Sequence, residues 1–235
     1  LVVPCLLNVA NVFFGLSAAS SLNIAMFTAL RRVSILFTML TQYYVFKTSG
    51  RWAVSASVVV MVGGAFVAAL DDLAFDTKGY ALVMANNVLT SASQIASKRA
   101  FDNNWNKETL LFYTAFATFS ISSVVSFLTF NPHSFPHWNS SAFQVVFVCS
   151  IVLAMVINWG AAWVIEKNDP LTLAVAGSTK SAVMGLLVCL GLFDRTYVFS
   201  TVNFAGLQIS ALASFAYVYF RAQPTVQIVI VKEIV

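Results

Sequence analysis

The sequence predicts an all-α membrane protein, a polytopic bundle of helices that cross the bilayer. Of its 235 residues, 59% are hydrophobic and only 9% are charged, whereas soluble domains carry about 25% charged residues. Apolar runs of about 20 residues recur along the chain, which is the length that a helix needs to cross a hydrocarbon core of about 30 Å. Barrel strands would instead alternate polar and apolar residues over about ten positions.

Eight membrane spans are predicted, in this order along the chain: 2–20, 24–46, 52–70, 79–100, 109–129, 142–165, 171–193 and 200–220. The segments between them contain the polar residues, prolines and glycines that end helices, as in KTSGR at 47–51 and EKNDP at 166–170. We therefore expect a single transmembrane domain over residues 1–221, followed by a C-terminal tail at 222–235.

The basic residues predict the orientation of the bundle. If the loops after the second, fourth and sixth spans share a side with the tail, that side holds eight lysines and arginines and the opposite side holds two. Cytoplasmic loops are enriched in these residues, so we expect a cytosolic C-terminus. On the opposite side Asn139 begins a glycosylation sequon, a weak signal because the next span follows at once.

Three further cations are accounted for by no loop, and they are Arg31, Arg32 and Lys180. One arginine at the bilayer centre costs roughly 3 kcal/mol or more, so such residues usually face a protein interior or a water-filled path. Neighbouring helical residues are about 100° apart, so Arg31 and Arg32 do not both point into one cavity. The sequence does not choose between them. The alternative is that all three cations extend to the membrane interface, as long basic side chains do.

An internal repeat relates these cations. A shift of 148 or 149 residues aligns FTALRRVSILFTML and the following span with VAGSTKSAVMGLLVCL and the following span, so that Arg31 or Arg32 matches Lys180. The two units run in opposite directions, as in transporters whose substrate site lies at the midplane between inverted repeats. The expected halves are about 1–71 and 79–221, with two helices missing from the first half of a five-plus-five arrangement. Two cations across a central cavity would suit a phosphate-bearing substrate.

Small polar residues surround Lys180, and they are typical both of ligand contact and of tight helix packing. Aromatic rings on the fifth span could stack on a base, and amides on the fourth could bind its edge, although each of these residues is as often a packed one. The candidate substrate-binding residues are Arg31, Arg32, Lys180, Gly177, Ser178, Thr179, Ser181, Phe112, Tyr113, Asn86 and Asn87. The similar set Gly63, Gly64, Gly206, Ser210 and Ser214 lacks a cation and is predicted to serve helix packing.

The sequence contains no recognisable catalytic or metal-binding pattern. His133 and His137 have no third ligand nearby, and the three cysteines fall in apolar spans at no metal-ligand spacing. No span pairs two carboxylates or places a histidine beside a nucleophile. We therefore expect neither an enzyme nor a cofactor.

The segments FTALRRVSILFTM, GGAFVAALDDLAFDTKGYALVMANNVLTSASQIASKRAFD and ETLLFYTAF resemble nucleotide-sugar transporters of the solute carrier 35 type, in order and spacing, over residues 1–221. The branch that carries UDP-glucuronic acid and UDP-N-acetylated hexosamines is the most similar. The resemblance implies a ten-helix antiporter of the drug/metabolite transporter superfamily in the Golgi or endoplasmic reticulum membrane. Its expected partners are a nucleotide sugar, a nucleoside monophosphate and the lipid bilayer. A homo-oligomer with a second copy of the chain is a further possibility, and no nucleic acid is expected.

In related transporters a basic residue on the fourth helix and a lysine on the ninth contact the phosphates. These positions correspond here to Arg31 or Arg32 and to Lys180. The GDP-mannose branch has FYNN and GALNK where this chain has FYTA at 112–115 and GSTK at 177–180, which counts against GDP-mannose and leaves the sugar open. The alternatives are an exchanger of another phosphorylated or organic anion and a truncated fragment that does not transport.

Overall fold

The computed structural model describes residues 2–22, 27, 30–47, 51–69, 77–129, 138, 140–177 and 201–223. Its helices are α1 (Val2–Ser21), α2 (Val33–Phe46), α3 (Trp52–Ala69), α4 (Thr77–Asp102), α5 (Lys107–Thr129), α6 (Ser141–Lys167) and α7 (Thr201–Ala222), with a further helical segment at 170–177. These described residues include no strand. The prediction of an all-α membrane bundle is confirmed.

Six of the eight predicted spans agree with observed helices to within two residues at each end. The second span is helical at residues 27 and 30 and again from Val33, but residues 31–32 form a turn that the sequence did not predict. Of the seventh span, residues 171–177 are helical and the remainder lies outside the described residues. The expected division into halves and a tail stays a prediction.

The connection between α4 and α5 shows how local chemistry ends a helix. Asn104 adopts a left-handed conformation with φ of 63°, which asparagine tolerates better than most residues. Its N–H donates to the Phe101 carbonyl at 2.9 Å, and the N–H of Trp105 donates to the Ala100 carbonyl at 3.2 Å. This pair of bonds is a Schellman motif, which satisfies carbonyls that the helix end would otherwise leave without a partner.

The helices pack in two groups that α2 joins. In one group α3 lies along α7, and in the other α1 lies along α4, with α5 against α1, α4 and α6. α2 contacts both α3 and α4. A buried apolar cluster unites α2, α3, segment 170–177 and α7, and it contains Ile35, Val54, Val58, Met61, Leu171, Val175, Ala213 and Tyr217.

α1, α5 and α6 are each long and apolar enough to cross a membrane. Large apolar side chains such as Phe119, Phe127 and Met155 are exposed on α5 and α6. Lipid tails are as apolar as leucine, so a membrane helix can present such a surface to the bilayer at no cost in burial.

Gly64 marks the close approach of α3 to α7. A Cβ atom at this position would lie 2.8 Å from the Gly206 carbonyl oxygen and 2.8 Å from the Ser210 nitrogen. The predicted packing role of the small residues is therefore confirmed for Gly64, Gly206 and Ser210. Gly63 is exposed with nothing within 4 Å of an added Cβ, so the prediction is wrong for that glycine, which points away from α7.

Candidate functional site

Arg32 is the most unusual side chain in the bundle. Only 2% of its surface is exposed, and none of its three guanidinium nitrogens has a hydrogen-bond partner among the residues that the structure describes. The carboxylates in the described ranges form their ion pairs with other cations. Burying a charge is costly unless it is paired. The guanidinium group is thus a strong candidate to bind an anion.

Arg32 lies at the start of a helix that is long enough to cover most of a hydrocarbon core. Arg32 directly precedes α2, which is 14 residues long and ends at Phe46. At 1.5 Å per residue these 14 residues cover about 21 Å of a hydrocarbon core that is about 30 Å thick. Arg32 therefore lies about 21 Å from the end of α2, measured along the helix axis.

Arg31 has a different environment from Arg32. Its side chain is exposed, and its guanidinium carbon lies 5.6 Å from the centre of the Phe27 ring, which is a cation–π distance. Two adjacent arginines therefore point in different directions. The structure buries Arg32 and leaves Arg31 at the surface of the bundle.

A tight turn in the backbone separates the two environments. The N–H of Ser34 donates to the Arg31 carbonyl at 3.1 Å, and the N–H of Ile35 donates to the Arg32 carbonyl at 3.1 Å. These bonds join residues three apart, as in a 3₁₀-helix, and such a stretch within a helix often marks a functional hinge.

Buried and partly buried hydrogen bonds tie α2 and the preceding residue Leu30 to α4, and we call this set the α2–α4 ladder. The Asn87 amide nitrogen donates to the Leu30 carbonyl at 3.0 Å, and the Ser91 hydroxyl donates to the Ser34 carbonyl at 3.1 Å. The Thr38 hydroxyl donates to the Ser91 hydroxyl oxygen at 3.0 Å. Hydrogen bonds between membrane helices each contribute about 0.6 to 2 kcal/mol, so the ladder fixes how α2 is turned against α4.

Asn86 faces α1 instead of α2. It is 1% exposed, its amide nitrogen has no partner within the described ranges, and a Cβ at Gly15 would lie 3.2 Å from its side-chain oxygen. Nearby, the Thr90 hydroxyl donates to the side-chain oxygen of Asn11 at 2.6 Å. The sequence analysis did not single out Asn11 or Thr90, although each is a polar residue inside an apolar span.

Phe112 and Tyr113 lie on α5 with 64% and 47% of their surfaces exposed. Their rings pack edge to face, with centres 5.6 Å apart, and Phe112 stacks on Phe116. α5 packs against α1, α4 and α6, whereas α2 packs against α3 and α4. Their proposed contact with a base stays a prediction.

Several predicted site residues lie outside the described residues, namely Ser178, Thr179, Lys180, Ser181 and the sequon residue Asn139. Gly177 is exposed at the end of the helical segment 170–177. Their roles stay predictions. Within the described ranges, no group of histidine, cysteine, aspartate and glutamate side chains could hold a metal ion.

Polar contacts at the other end of α2 form what we call the Gln42 end of the bundle. The Gln42 side-chain oxygen accepts a hydrogen bond from the Leu171 N–H at 3.3 Å, and Arg221 forms an ion pair with Asp169. The Arg51 guanidinium donates to the Phe220 carbonyl at 3.0 Å. These contacts join α2 and segment 170–177 to the ends of α3 and α7.

The sequence profile of the Triose-phosphate Transporter family matches residues 2–218. The chain is 35% identical over 219 residues to the UDP-sugar transporter UST74c of Drosophila melanogaster, covering 91% of this chain and 58% of that protein. It is 33% identical over 229 residues to the UDP-sugar transporter sqv-7 of Caenorhabditis elegans, covering 94% and 69%. It is 33% identical over 219 residues to the nucleotide sugar transporter SLC35D2 of Mus musculus, covering 90% and 66%.

A solved structure described as "Crystal structure of protein" has a TM-score of 0.64 with 18% sequence identity, and the match covers 90% of this chain and 73% of the other. At that identity the match establishes the fold alone. The chain spans 58% to 69% of the length of the three relatives named above.

Proposed function

The chain belongs to the Triose-phosphate Transporter family, whose members are transporters and not enzymes, and from that premise we propose a substrate and a mode of transport. The proposed activity is exchange of a UDP-sugar for UMP across the Golgi or endoplasmic reticulum membrane. The sugar nucleotide enters the lumen and UMP leaves by alternating access. The C-terminus faces the cytosol in this scheme.

The buried guanidinium of Arg32 is the observation that carries the proposal. It is 2% exposed and has no partner in the described part of the chain, so an anion that reaches it removes the cost of an unpaired buried charge. A guanidinium group presents its N–H donors in a planar fork that matches phosphate oxygens, and such charge-assisted bonds are about twice as strong as neutral ones. A diphosphate in a nucleotide sugar and the phosphate of UMP both meet that requirement.

The relatives support a uridine nucleotide as the substrate. The Drosophila and Caenorhabditis relatives are named as UDP-sugar transporters. UDP-glucuronate or a UDP-N-acetylhexosamine is the proposed sugar nucleotide, because the sequence most resembles the branch that carries them. Lys180 is the proposed second phosphate contact, from the opposite repeat, with Gly177, Ser178, Thr179 and Ser181 beside it.

Reconstitution tests this proposal directly. Purified protein in liposomes preloaded with UMP should take up labelled UDP-sugar, and liposomes without UMP should show little uptake. The Arg32→Gln variant should lose this exchange, and the neighbouring Arg31→Gln variant, matched in charge change, should keep most of it. Equal exchange by the Arg32→Gln variant and the unmodified protein would remove the basis of the assignment.

The family description favours one second candidate, an exchanger of a smaller phosphorylated anion. Arg32 would bind such a phosphate by the same chemistry. Competition separates the two candidates, because a nucleotide carrier is inhibited more strongly by UMP, and a carrier of small phosphate esters more strongly by sugar phosphates.

A further inference from the structure

We propose that Asn87 is a positioning residue that determines which of the two adjacent arginines is buried. It does so through its bond to the Leu30 carbonyl. The significance of this for substrate binding rests on the proposed function, but the geometric effect on Arg31 and Arg32 does not.

The Leu30 carbonyl accepts its hydrogen bond from another helix. In a regular α-helix this oxygen would accept the N–H four residues later, at Ser34. That N–H instead donates to the Arg31 carbonyl at 3.1 Å, and the Asn87 amide occupies the Leu30 oxygen at 3.0 Å. Asn87 is fully buried, and a buried carbonyl without a partner is unfavourable. The Asn87 side chain therefore satisfies the carbonyl that the tight turn leaves without its helical partner, and this lowers the free-energy cost of the turn.

The tight turn changes the direction of the arginines. A residue advances about 120° in a 3₁₀-helix and about 100° in an α-helix. The rest of the ladder holds the C-terminal side of the turn, because Ser91 bonds to the Ser34 carbonyl and to Thr38. The additional rotation per residue must therefore change the direction of the side chains at residues 31–32. Without the Asn87 donor, we expect the Ser34 N–H to bond to the Leu30 carbonyl as in a regular α-helix. Both arginine side chains would then rotate about the helix axis by the same angle.

Asn87 could instead serve only to hold two helices together. In that case its removal would lower stability without changing which arginine is buried. Thr90 provides a matched control, because it lies on the same helix and its hydroxyl makes a partly buried bond to Asn11 on α1 rather than to α2. The Thr90→Val variant loses one interhelical hydrogen bond and leaves the bond to Leu30 in place.

Cysteine modification measures the burial of each position without requiring substrate. The background carries Cys5→Ser, Cys149→Ser and Cys189→Ser in the full chain, and either Arg31→Cys or Arg32→Cys is added. Modification by methyl methanethiosulfonate, a small uncharged reagent, is followed by mass spectrometry. With Asn87 present, the position 31 thiol should react at least about tenfold faster than the position 32 thiol, because reactivity follows exposure.

Asn87→Leu should reduce this rate ratio to less than about threefold, while Thr90→Val leaves it near its original value. A ratio that stays near tenfold in folded Asn87→Leu protein overturns the proposal, and so does an equal fall in the Thr90→Val protein. If Asn87→Leu does not yield monodisperse protein, Asn87→Ala removes the same donor and serves the same comparison.

A second measurement separates this proposal from the proposed function. UMP binding to the otherwise unmodified protein should weaken about tenfold in Asn87→Leu and less than twofold in Thr90→Val, as expected for loss of about one charge-assisted hydrogen bond. If the unmodified protein does not bind UMP, the proposed function fails, and the modification ratio still decides whether Asn87 positions the arginines.

Discussion

Arginine side chains have opposite environments at the Gln42 end and in the middle of the second span. At the Gln42 end, Arg221 pairs with Asp169 and Arg51 donates to the Phe220 carbonyl. In the middle, Arg32 is 2% exposed and no described residue pairs with its guanidinium. Both kinds of site belong to the same bundle, and α2 connects them.

The difference lies in what each charge stabilises. A paired charge near the membrane surface contributes to the folded protein and needs nothing further. An unpaired buried charge lowers stability until an anion reaches it, so it is more useful for binding than for folding. The comparison predicts that the two sets of arginines respond to substitution with opposite signs.

The largest expected effect is on nucleotide affinity. Removing the Arg32 charge with Arg32→Gln should weaken UMP binding at least about tenfold, because a hydrogen bond to a charged group contributes about 1.5 to 3 kcal/mol. Isothermal titration calorimetry in detergent would measure it. The matched change Arg31→Gln should alter the affinity less than twofold, and a larger loss there than at position 32 would reverse the assignment of the two arginines.

The second effect is on stability without nucleotide. Arg32→Met should raise the free energy of unfolding by about 1 to 3 kcal/mol, because it replaces an unpaired buried charge with an apolar side chain. A higher melting temperature of the ligand-free variant would support this expectation. A lower one would mean that the guanidinium contributes to folding, as the arginines of the Gln42 end do.

The third effect tests the packing that supports both regions. Gly64→Ala should destabilise the bundle by about 1 to 3 kcal/mol, because its Cβ would overlap α7 backbone. Gly63→Ala is the matched control, with nothing within 4 Å of the added Cβ, and it should stabilise the helix by about 0.5 to 1 kcal/mol. If the Gly63→Ala variant melted at a lower temperature than the Gly64→Ala variant, α3 and α7 would not be in closest contact at Gly64.

The smallest effect belongs to the Gln42 end. Arg221→Gln should lower stability by only about 0.2 to 1 kcal/mol, because both partners of its ion pair are partly exposed. UMP affinity should remain within twofold of its original value. The double variant Arg221→Gln with Asp169→Asn should be no less stable than the single one, and further loss would point to separate roles for the two residues.

The fold was largely predictable because its signals are local. Long apolar runs and the polar segments between them determine where helices begin and end, and six spans were placed to within two residues. The Arg31–Arg32 pair was also identifiable, because charge in an apolar run is conspicuous without any structure. Gly63 was misassigned because two adjacent glycines look alike in a sequence, although only Gly64 faces α7.

The choice between Arg31 and Arg32 could not be predicted in the same way. It depends on a turn at residues 31–32, and no proline or glycine marks that turn. The Leu30 carbonyl is occupied by Asn87, which is 57 positions away along the chain. A contact between residues that are distant in sequence therefore sets the backbone geometry at residues 31–32. Such a contact can be identified only from the packed arrangement of the helices.

The unpaired burial of Arg32 also has a consequence for how long the protein survives in a cell. In the proposed function, nucleotide binds the folded protein and not the unfolded chain. A free concentration one hundred times the dissociation constant would then add about 2.7 kcal/mol to the free energy of unfolding. Quality-control proteases act on the unfolded fraction, so the abundance of this carrier would rise and fall with the supply of its own cargo.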